Sequence, residues 1–523
     1  MGEGARAFAD FLHEAGMAHW QVLPLGPTGY GDSPYQSFSA FAGNTLLISP
    51  EGLVGMGLLT QADIAPFYHG GDPRWVDYNG TATSKAALLR KAMANFRGTR
   101  EYVEFLEEHA YWLEDYALFV ALKAHFISER AKSSAQKGKS ADYSDFYSRA
   151  IGSLSQDQVQ EAYLGALWNT WPPDIRTREA GAMARYRDML ARDIEFVRFG
   201  QYVFDVQWRE LHAYCKGLGI EIMGDMPIFV AMDSSDVWAH PHLFDLDEGS
   251  MPRFIAGVPP DYFSDTGQLW GNPLYNWEAC ASEDYAWWVA RMKKMLSDTD
   301  TTRVDHFRGF ESYWAVPFGE ETAVSGSWMP GPGAALFAAF KRELGELPIV
   351  AEDLGVITPE VEQLRVDLGF PGMRILQFAF GDDAENTYLP HNYEINTVVY
   401  SGTHDNDTTA GWYASAPEGM RDLVRRYLNT TGEDISWDMI RLAFSSVALL
   451  AIVPMQDVHI SHQRMNTPGQ ATGNWLYRTT MEDINPRYAQ GLRYLAEMYN
   501  RTPKIKNPSP TAGAPDESDG IGC

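Results

Sequence analysis

Cysteines, long apolar runs and net positive charge are all scarce in this sequence, and each shortage excludes a class of protein. The three cysteines, Cys215, Cys280 and Cys523, are too far apart for a disulfide framework or a Cys-x-x-Cys metal site. We find no signal peptide and no stretch of about 18 apolar residues, so we expect a protein of the reducing cytoplasm without a membrane segment. A formal net charge of −27 disfavours nucleic acid and anionic membranes as partners, because both attract positive surfaces.

Motifs for cofactors and for several other kinds of catalysis are also missing. The sequence contains no Gly-x-Ser-x-Gly nucleophile motif, no His-Glu-x-x-His zinc motif and no phosphate-binding Gly-x-x-x-x-Gly-Lys loop. His459 and His462 resemble a metal-binding pair, but two histidines in a turn more often pack than bind a metal. We therefore expect neither a metal nor a cofactor.

Three carboxylates, in contrast, each follow a short apolar run typical of a buried strand. They are Asp305 after residues 301–304, Glu352 after residues 348–351 and Asp405 after residues 397–401. Intervals of 47 and 53 residues separate them, which suits one strand–helix unit with loop insertions. Catalytic groups of α/β barrels lie at the carboxyl ends of the strands. The spacing therefore predicts that the three carboxylates share a pocket.

Two carboxylates that face one glycosidic bond can cleave it with retention of configuration. One attacks the anomeric carbon, and the other protonates the leaving oxygen. Arg303 lies two residues before Asp305 on the same face of its strand, where it can keep an attacking carboxylate ionised. Glu352 follows an apolar run and precedes Asp353, so we expect the raised pKa that a general acid needs. A simpler alternative makes Arg303 and Asp305 an ion pair, Glu352 a helix cap and residues 404–405 a turn. It explains any one of these motifs more readily than all three together.

Seven apolar runs, several of them separated by helical patterns, favour a parallel (β/α)8 TIM-type barrel with one strand not found. The predicted strands are residues 20–25, 220–224, 301–304, 348–351, 374–378, 397–401 and 449–453. We assign residues 1–500 to this catalytic unit. It carries a helical subdomain at about 50–200 and a loop subdomain at about 227–300, and a disordered tail follows at 502–523.

Five motifs within residues 1–500 carry a specific resemblance. They are residues 20–35 (WQVLPLGPTGYGDSPY), 224–230 (GDMPIFV), 257–263 (GVPPDYF), 267–273 (GQLWGNP) and 467–475 (TPGQATGNW). Together they closely resemble the 4-α-glucanotransferases, which are also called amylomaltases or disproportionating enzymes and are relatives of the α-amylases. The family usually begins with a further strand, so the missing strand is expected to be the first. Its absence would leave an open seam between residues 20–25 and 449–453.

The resemblance also implies a role for each matched residue. Asp305 becomes the nucleophile, Glu352 the acid/base and Asp405 the stabiliser of the transition state. The residues expected to bind glucan are Ser33, Tyr35, Asp225, Trp270, Arg303, Asp353, Asp382, His404 and Asn474. The loop at 257–263 is expected to cover the bound chain and shield the glucosyl-enzyme from water.

We therefore predict an enzyme that cleaves an α-1,4-glucan, holds the donor segment on Asp305 and transfers it to the 4-hydroxyl of another glucan or of glucose. Its expected partners are α-1,4-glucans and maltooligosaccharides. A retaining α-glucan hydrolase with the same carboxylates is the nearest alternative, and a non-catalytic glucan-binding protein is the alternative of another class. Maltotriose distinguishes transfer from hydrolysis, because disproportionation creates no net reducing ends.

Overall fold

All seven predicted strands are present, together with four others. The computed structural model describes residues 1–68, 71–135, 167–260, 264–470 and 472–503. Its strands are β1 (His19–Gln21), β2 (Glu221–Met226), β3 (Phe254–Val258), β4 (Gln268–Pro273), β5 (Thr301–Val304), β6 (Ser312–Pro317), β7 (Ser327–Pro330), β8 (Ile349–Ala351), β9 (Gly372–Ile375), β10 (Thr397–Tyr400) and β11 (Leu450–Ile452).

The seven predicted strands form two parallel sheets, in the orders β1-β2-β5-β8 and β11-β10-β9. A hydrogen bond of 2.9 Å from the Ala351 amide to the Pro371 carbonyl links β8 to the residue before β9. Every residue of β8 and of β10 is buried. Strands covered on both faces read as continuous apolar runs, which is why the sequence identified them.

A closed barrel is not seen in the strand pairing of the described residues. In that part of the chain β1 pairs with β2 alone, and β11 pairs with β10 alone. These are the two strands between which the sequence predicted an open seam. The α/β arrangement with parallel strands is therefore present, and the closed barrel stays a prediction.

The four additional strands form an antiparallel sheet in the order β4-β3-β6-β7. They correct the sequence prediction of loops in this region, because Gly257 belongs to β3 and Trp270 to β4. The Gly257 Cα lies so close to β4 that an added Cβ would be 2.4 Å from the Gln268 carbonyl oxygen. Residues 261–263 of the predicted flap lie outside the described residues.

Helices pack against β2, β5 and β11 and fill the long connection between β1 and β2. Their bounds are Glu3–Glu14, Pro50–Gly55, Gln61–Ile64, Tyr78–Asn95, Arg100–Glu108, Ala110–Ala135, Pro173–Arg176, Ala180–Met189, Ala191–Gly217, Ser235–Ala239, Trp277–Ser282, Ala286–Asp298, Ala334–Leu344, Pro359–Leu368, Thr409–Ser415, Glu418–Leu428, Ile435–Ser445, Met455–Val458 and Pro486–Met498. In the described ranges, none of the helices combines the length and apolar character needed to cross a bilayer. The predicted disordered tail lies outside the described residues from residue 504 onwards.

Candidate active site

Asp305 and Glu352 lie side by side at the carboxyl ends of two adjacent strands. Val304 of β5 pairs in register with Ala351 of β8, and the two carboxylates are the next residues of their chains. A hydrogen bond of 3.0 Å from the Glu352 amide to the Val304 carbonyl continues the ladder to this point. Neighbouring strands are about 4.8 Å apart, so the two side chains start from positions that one sugar linkage can bridge.

Arg303 joins Asp305 to a third carboxylate. Asp225 of β2 pairs in register with Arg303, and both side chains are buried. The Arg303 Nη1 atom donates to both oxygens of Asp225 at 2.8 and 2.7 Å, and Nη2 donates to Asp305 Oδ1 at 2.6 Å. Charge-assisted hydrogen bonds of this kind hold the acceptor in a fixed orientation. The guanidinium therefore aims Asp305, whose side chain is 30% exposed while that of Asp225 is 0% exposed.

Breaking the buried Arg303–Asp225 pair is expected to destabilise the fold. Asp225→Asn removes the charge of one partner, and the loss of one partner from a buried ion pair costs about 3–5 kcal/mol. We expect the urea midpoint to fall clearly, as followed by tryptophan fluorescence. Asp367→Asn, on the exposed face of helix Pro359–Leu368, is the matched control. An unchanged midpoint for Asp225→Asn would show that the pair does not support the fold.

The Glu352 carboxylate is buried and held by backbone amides. Its Oε2 accepts from the His306 amide at 2.7 Å, and its Oε1 accepts from the Leu354 amide at 2.8 Å. Burial, followed by the charge of Asp305, raises the pKa of Glu352 to about 8. A carboxyl group that stays protonated near neutral pH can act as a general acid.

Asp353 is not the like charge that raises the pKa of Glu352. Its Oδ1 accepts from the Met373 amide at 2.6 Å, and its Oδ2 lies 3.2 Å from Arg365 Nε and 3.3 Å from Arg374 Nη1. Asp353 is thus paired with two positively charged arginine side chains. The raised pKa of Glu352 was predicted from burial and the charge of Asp353. Burial is its largest cause, and the second cause is the charge of Asp305.

A stack of aromatic rings extends from Asp225 toward the loop that follows β10. The Tyr35 hydroxyl donates to Asp225 Oδ2 at 2.8 Å. Its ring stacks on His404 with centroids 5.2 Å apart, and the Trp475 ring lies 5.8 Å from both of them. Trp475 was not predicted as a site residue, although it directly follows Asn474 in the last motif.

Asp405 is open to solvent at the far end of this stack. Its side chain is 47% exposed, and its Oδ1 lies 3.4 Å from His404 Nε2. Asn466 Nδ2 donates to the same oxygen at 2.7 Å, and Arg464 Nη2 donates to the Asp405 carbonyl at 2.8 Å. The second Asp405 carboxylate oxygen, Oδ2, accepts no hydrogen bond from the described residues, so it can accept one from a ligand.

His306 and Trp270 form a second wall beside the catalytic pair. The Trp270 ring meets His306 edge-on at 4.8 Å. His306 adopts φ 52°, an uncommon conformation for a residue with a side chain, and burial lowers its pKa to about 4. The imidazole is therefore neutral at physiological pH. Among the described residues no group of three or more His, Cys, Asp and Glu side chains is arranged to hold a metal.

Three further predicted residues use their side chains locally. Ser33 Oγ accepts from the Tyr35 amide at 3.2 Å, and the exposed Asp382 accepts from the next amide at 2.9 Å. The Asn474 amide accepts from one backbone group of its own loop at 2.9 Å and donates to another at 2.8 Å. These contacts shape loops, and within the described part of the chain none of them is made with Arg303, Asp225 or Asp305.

The sequence also matches a family of known enzymes. A family model described as glycoside hydrolase 77, 4-alpha-glucanotransferase, matches residues 1–482. The chain belongs to this family. The 4-alpha-glucanotransferase of Thermus thermophilus is 45% identical over 511 residues, covering 96% of this chain and 95% of the relative. That of Synechocystis sp. is 45% identical over 515 residues, covering 96% and 94%.

Solved structures agree with this assignment. An amylomaltase from Streptococcus agalactiae, solved in complex with acarbose, is 39% identical and superposes with a TM-score of 0.86 over 96% of each chain. The amylomaltase of Corynebacterium glutamicum, at 17% identity and a TM-score of 0.70, covers 95% of this chain and 71% of its own and shares the fold alone. The predicted 4-α-glucanotransferase activity and α/β fold are thereby confirmed. The hydrolase and the non-catalytic binding protein are not favoured.

Proposed function

We propose that this 4-α-glucanotransferase acts by a retaining double displacement on Asp305 and Glu352. The observation that carries the proposal is the register of β5 and β8, which makes the two carboxylates neighbours at one edge of the sheet. Retaining enzymes need their two carboxyl groups only about 5–5.5 Å apart, whereas inverting enzymes leave room for a water molecule. Side chains that leave adjacent registered positions suit the shorter separation.

In the first step the Asp305 carboxylate attacks the anomeric carbon of the donor glucan. The bond to the leaving 4-oxygen breaks, and Glu352 gives that oxygen its proton. The hydrogen bond from Arg303 aims Asp305, while burial keeps Glu352 protonated beforehand. The products are a covalent glucosyl-enzyme on Asp305 and a shortened glucan with a free 4-hydroxyl.

In the second step the acceptor, a glucan or glucose, enters on the side of Glu352. The Glu352 carboxylate, now without its proton, takes the proton from the acceptor 4-hydroxyl. That oxygen attacks the anomeric carbon and releases Asp305. Two inversions give net retention, and both carboxyl groups return to their starting states.

The donor sugar is proposed to bind between Asp405 and the aromatic walls. Asp405 is open to solvent beside His404, where it can accept sugar hydroxyls and support the developing positive charge. Tyr35 and Trp270 present ring surface to the apolar faces of sugars, as in other pockets with aromatic linings. The acarbose bound by the Streptococcus agalactiae relative supports an oligosaccharide cleft in this fold.

Most of the remaining matched residues are proposed to position the groups and loops that line the cleft. Both oxygens of Asp225 are used by Arg303 and Tyr35, so Asp225 aligns those groups and meets sugar only if Tyr35 moves. Ser33 and Asn474 shape cleft loops, and Asp353 fixes the loop after Glu352. Asp382 is exposed and free to meet a longer glucan.

The finer architecture is part of the same proposal. We propose that the seven parallel strands are those of a (β/α)8-type barrel, with the helical insertion at about 50–200 mounted on it. Their parallel pairing within two sheets and the carboxylates that follow their carboxyl ends support this arrangement. The sparse cysteines support a cytoplasmic location.

Maltotriose separates transfer from hydrolysis. The wild-type protein is expected to convert maltotriose into glucose and a ladder of longer oligomers with no net rise in reducing ends. Product sizing by chromatography and a reducing-end assay on the same samples measure the two quantities. Reducing ends that rise in step with glucose would identify a hydrolase instead.

A further inference from the structure

An aromatic surface lies on the outer strand of the antiparallel sheet. Within the described residues β7 pairs with β6 alone, and all four of its residues are exposed. Trp328 of β7 lies opposite Trp314 of β6, with ring centroids 5.1 Å apart in an edge-to-face arrangement. Trp328 is 40% exposed. Part of the Trp328 indole therefore faces solvent beside a second indole.

The surroundings hold these two rings in place. The Trp314 indole N–H donates to the Ala323 carbonyl at 2.9 Å. Gly326 makes room for this ring, because a Cβ there would lie 2.2 Å from the ring nitrogen. On Trp328, the Arg308 guanidinium lies 3.8 Å from the ring centre in a cation–π contact. A ring fixed before binding has little conformational entropy to lose when a ligand stacks on it.

Arg308 also connects this surface to the loop of the acid/base. Its Nη1 donates to the Val356 carbonyl, four residues after Glu352. Four residues span at most about 14 Å, so the Val356 carbonyl that Arg308 holds lies within that reach of Glu352, which protonates the leaving sugar. Two further polar side chains lie beside Arg308. Its Nη2 donates to Ser312 Oγ at 3.2 Å, and Ser312 Oγ donates to Glu311 at 2.6 Å.

We infer that Trp328 is the platform of a further binding site for an α-1,4-glucan, on the leaving-group and acceptor side of the catalytic pair. The inference rests on the proposed function, in which Glu352 faces the leaving and the incoming sugar. The exposed indole suits the apolar face of a glucose unit, and Glu311 and Ser312 suit its hydroxyl groups. The site would bind units of the acceptor chain beyond the one that reacts.

Acceptor length is the variable that tests this site. With maltotriosyl fluoride as donor, transfer to glucose and to maltotetraose is measured for the wild-type protein, Trp328→Leu and Trp328→Phe. Trp328→Leu is expected to lower the ratio of kcat/KM for maltotetraose to that for glucose about fivefold, because an aromatic contact is lost. Trp328→Phe keeps a ring and should lower the ratio about twofold. Tyr494→Leu, which changes an exposed aromatic of helix Pro486–Met498, should leave the ratio at its wild-type value.

The pH dependence of the transfer rate distinguishes two explanations for a loss in Trp328→Leu. The variant could lose a binding surface, or it could disturb the loop after Glu352 through Arg308. A binding platform leaves the basic limb of the rate profile of Trp328→Leu where it is in the wild-type protein. A shifted limb, or an equal loss with both acceptors, would overturn the inference. An unchanged ratio of kcat/KM for maltotetraose to that for glucose, in a variant that still transfers, would also overturn the inference. If Trp328→Leu does not fold, the ratio measured for Trp328→Phe decides the question. Failure of the wild-type protein to transfer at all would instead overturn the proposed function.

Discussion

Replacing Asp305 by Asn is expected to abolish turnover while glucan binding survives. An amide is too weak a nucleophile to attack the anomeric carbon, and loss of the nucleophile from a covalent mechanism costs on the order of 10⁴-fold or more in kcat. The amide keeps the shape of the carboxylate and can still accept from Arg303, so the cleft should remain formed. Product formation from maltotriose and calorimetric titration with maltoheptaose measure the two properties.

A second variant identifies the role of Asp305 by stereochemistry. In Asp305→Ala a small anion can occupy the space of the lost carboxylate, so added azide should restore turnover and give a β-configured glycosyl azide from an α-linked donor. The expected inversion reports a single displacement where the wild-type protein makes two. Asp367→Asn, exposed on helix Pro359–Leu368, should keep wild-type activity and need no azide. Wild-type turnover by Asp305→Asn would show that the nucleophile has been misassigned.

The pairing of Asp305 with Glu352 could be predicted because it depends on short-range information. Both residues directly follow apolar runs, and runs of this kind form strands buried on both faces. In a parallel sheet such strands end at one edge, which brings the residues after them together. The predicted limits of these two strands differ from the observed ones by at most one residue.

The rest of the site depends on contacts between distant parts of the chain. The Tyr35–Asp225 hydrogen bond joins residues 190 positions apart, and no local pattern specifies it. Asp353 meets Arg374 of β9 and Arg365 of helix Pro359–Leu368, and no local sequence pattern specifies either contact. The burial that raises the pKa of Glu352 was predicted correctly, but the charge that adds to it belongs to Asp305 and not to Asp353.

The antiparallel sheet was missed for a different reason. β3 (FIAGV) is a short apolar run interrupted by glycine, and β4 (QLWGNP) contains glycine and ends in proline. A segment rich in proline and aspartate joins them, so the region was interpreted as loop. Their pairing stabilises them, and pairing is a property of the folded chain. β7 is exposed at all four positions and carries no burial pattern at all.

Glu352→Gln is expected to lower kcat on maltooligosaccharides by about 10²–10⁴-fold, because the leaving oxygen loses its proton donor. The pH dependence gives the sharper test. Glu352 must be protonated for the first step, and burial together with Asp305 raises its pKa to about 8. In the wild-type protein the protonated fraction falls as pH rises above that value, so kcat/KM for the donor should decline there. Glu352→Gln has no such group, and its residual rate should not show this basic limb.

A donor whose leaving group needs no proton shows whether Glu352 acts as the proton donor. Maltotriosyl fluoride releases fluoride without acid assistance, so Glu352→Gln should form the glucosyl-enzyme at a rate close to that of the wild-type protein. Azide needs no general base, and its attack on that intermediate should give an α-configured azide, the opposite of the product from Asp305→Ala. Glu362→Gln, exposed on helix Pro359–Leu368, should behave as wild type in every assay. If Glu352→Gln lost rate equally with maltotriosyl fluoride and with maltotriose, Glu352 would not be the general acid. A general acid increases the rate only when the leaving group needs a proton.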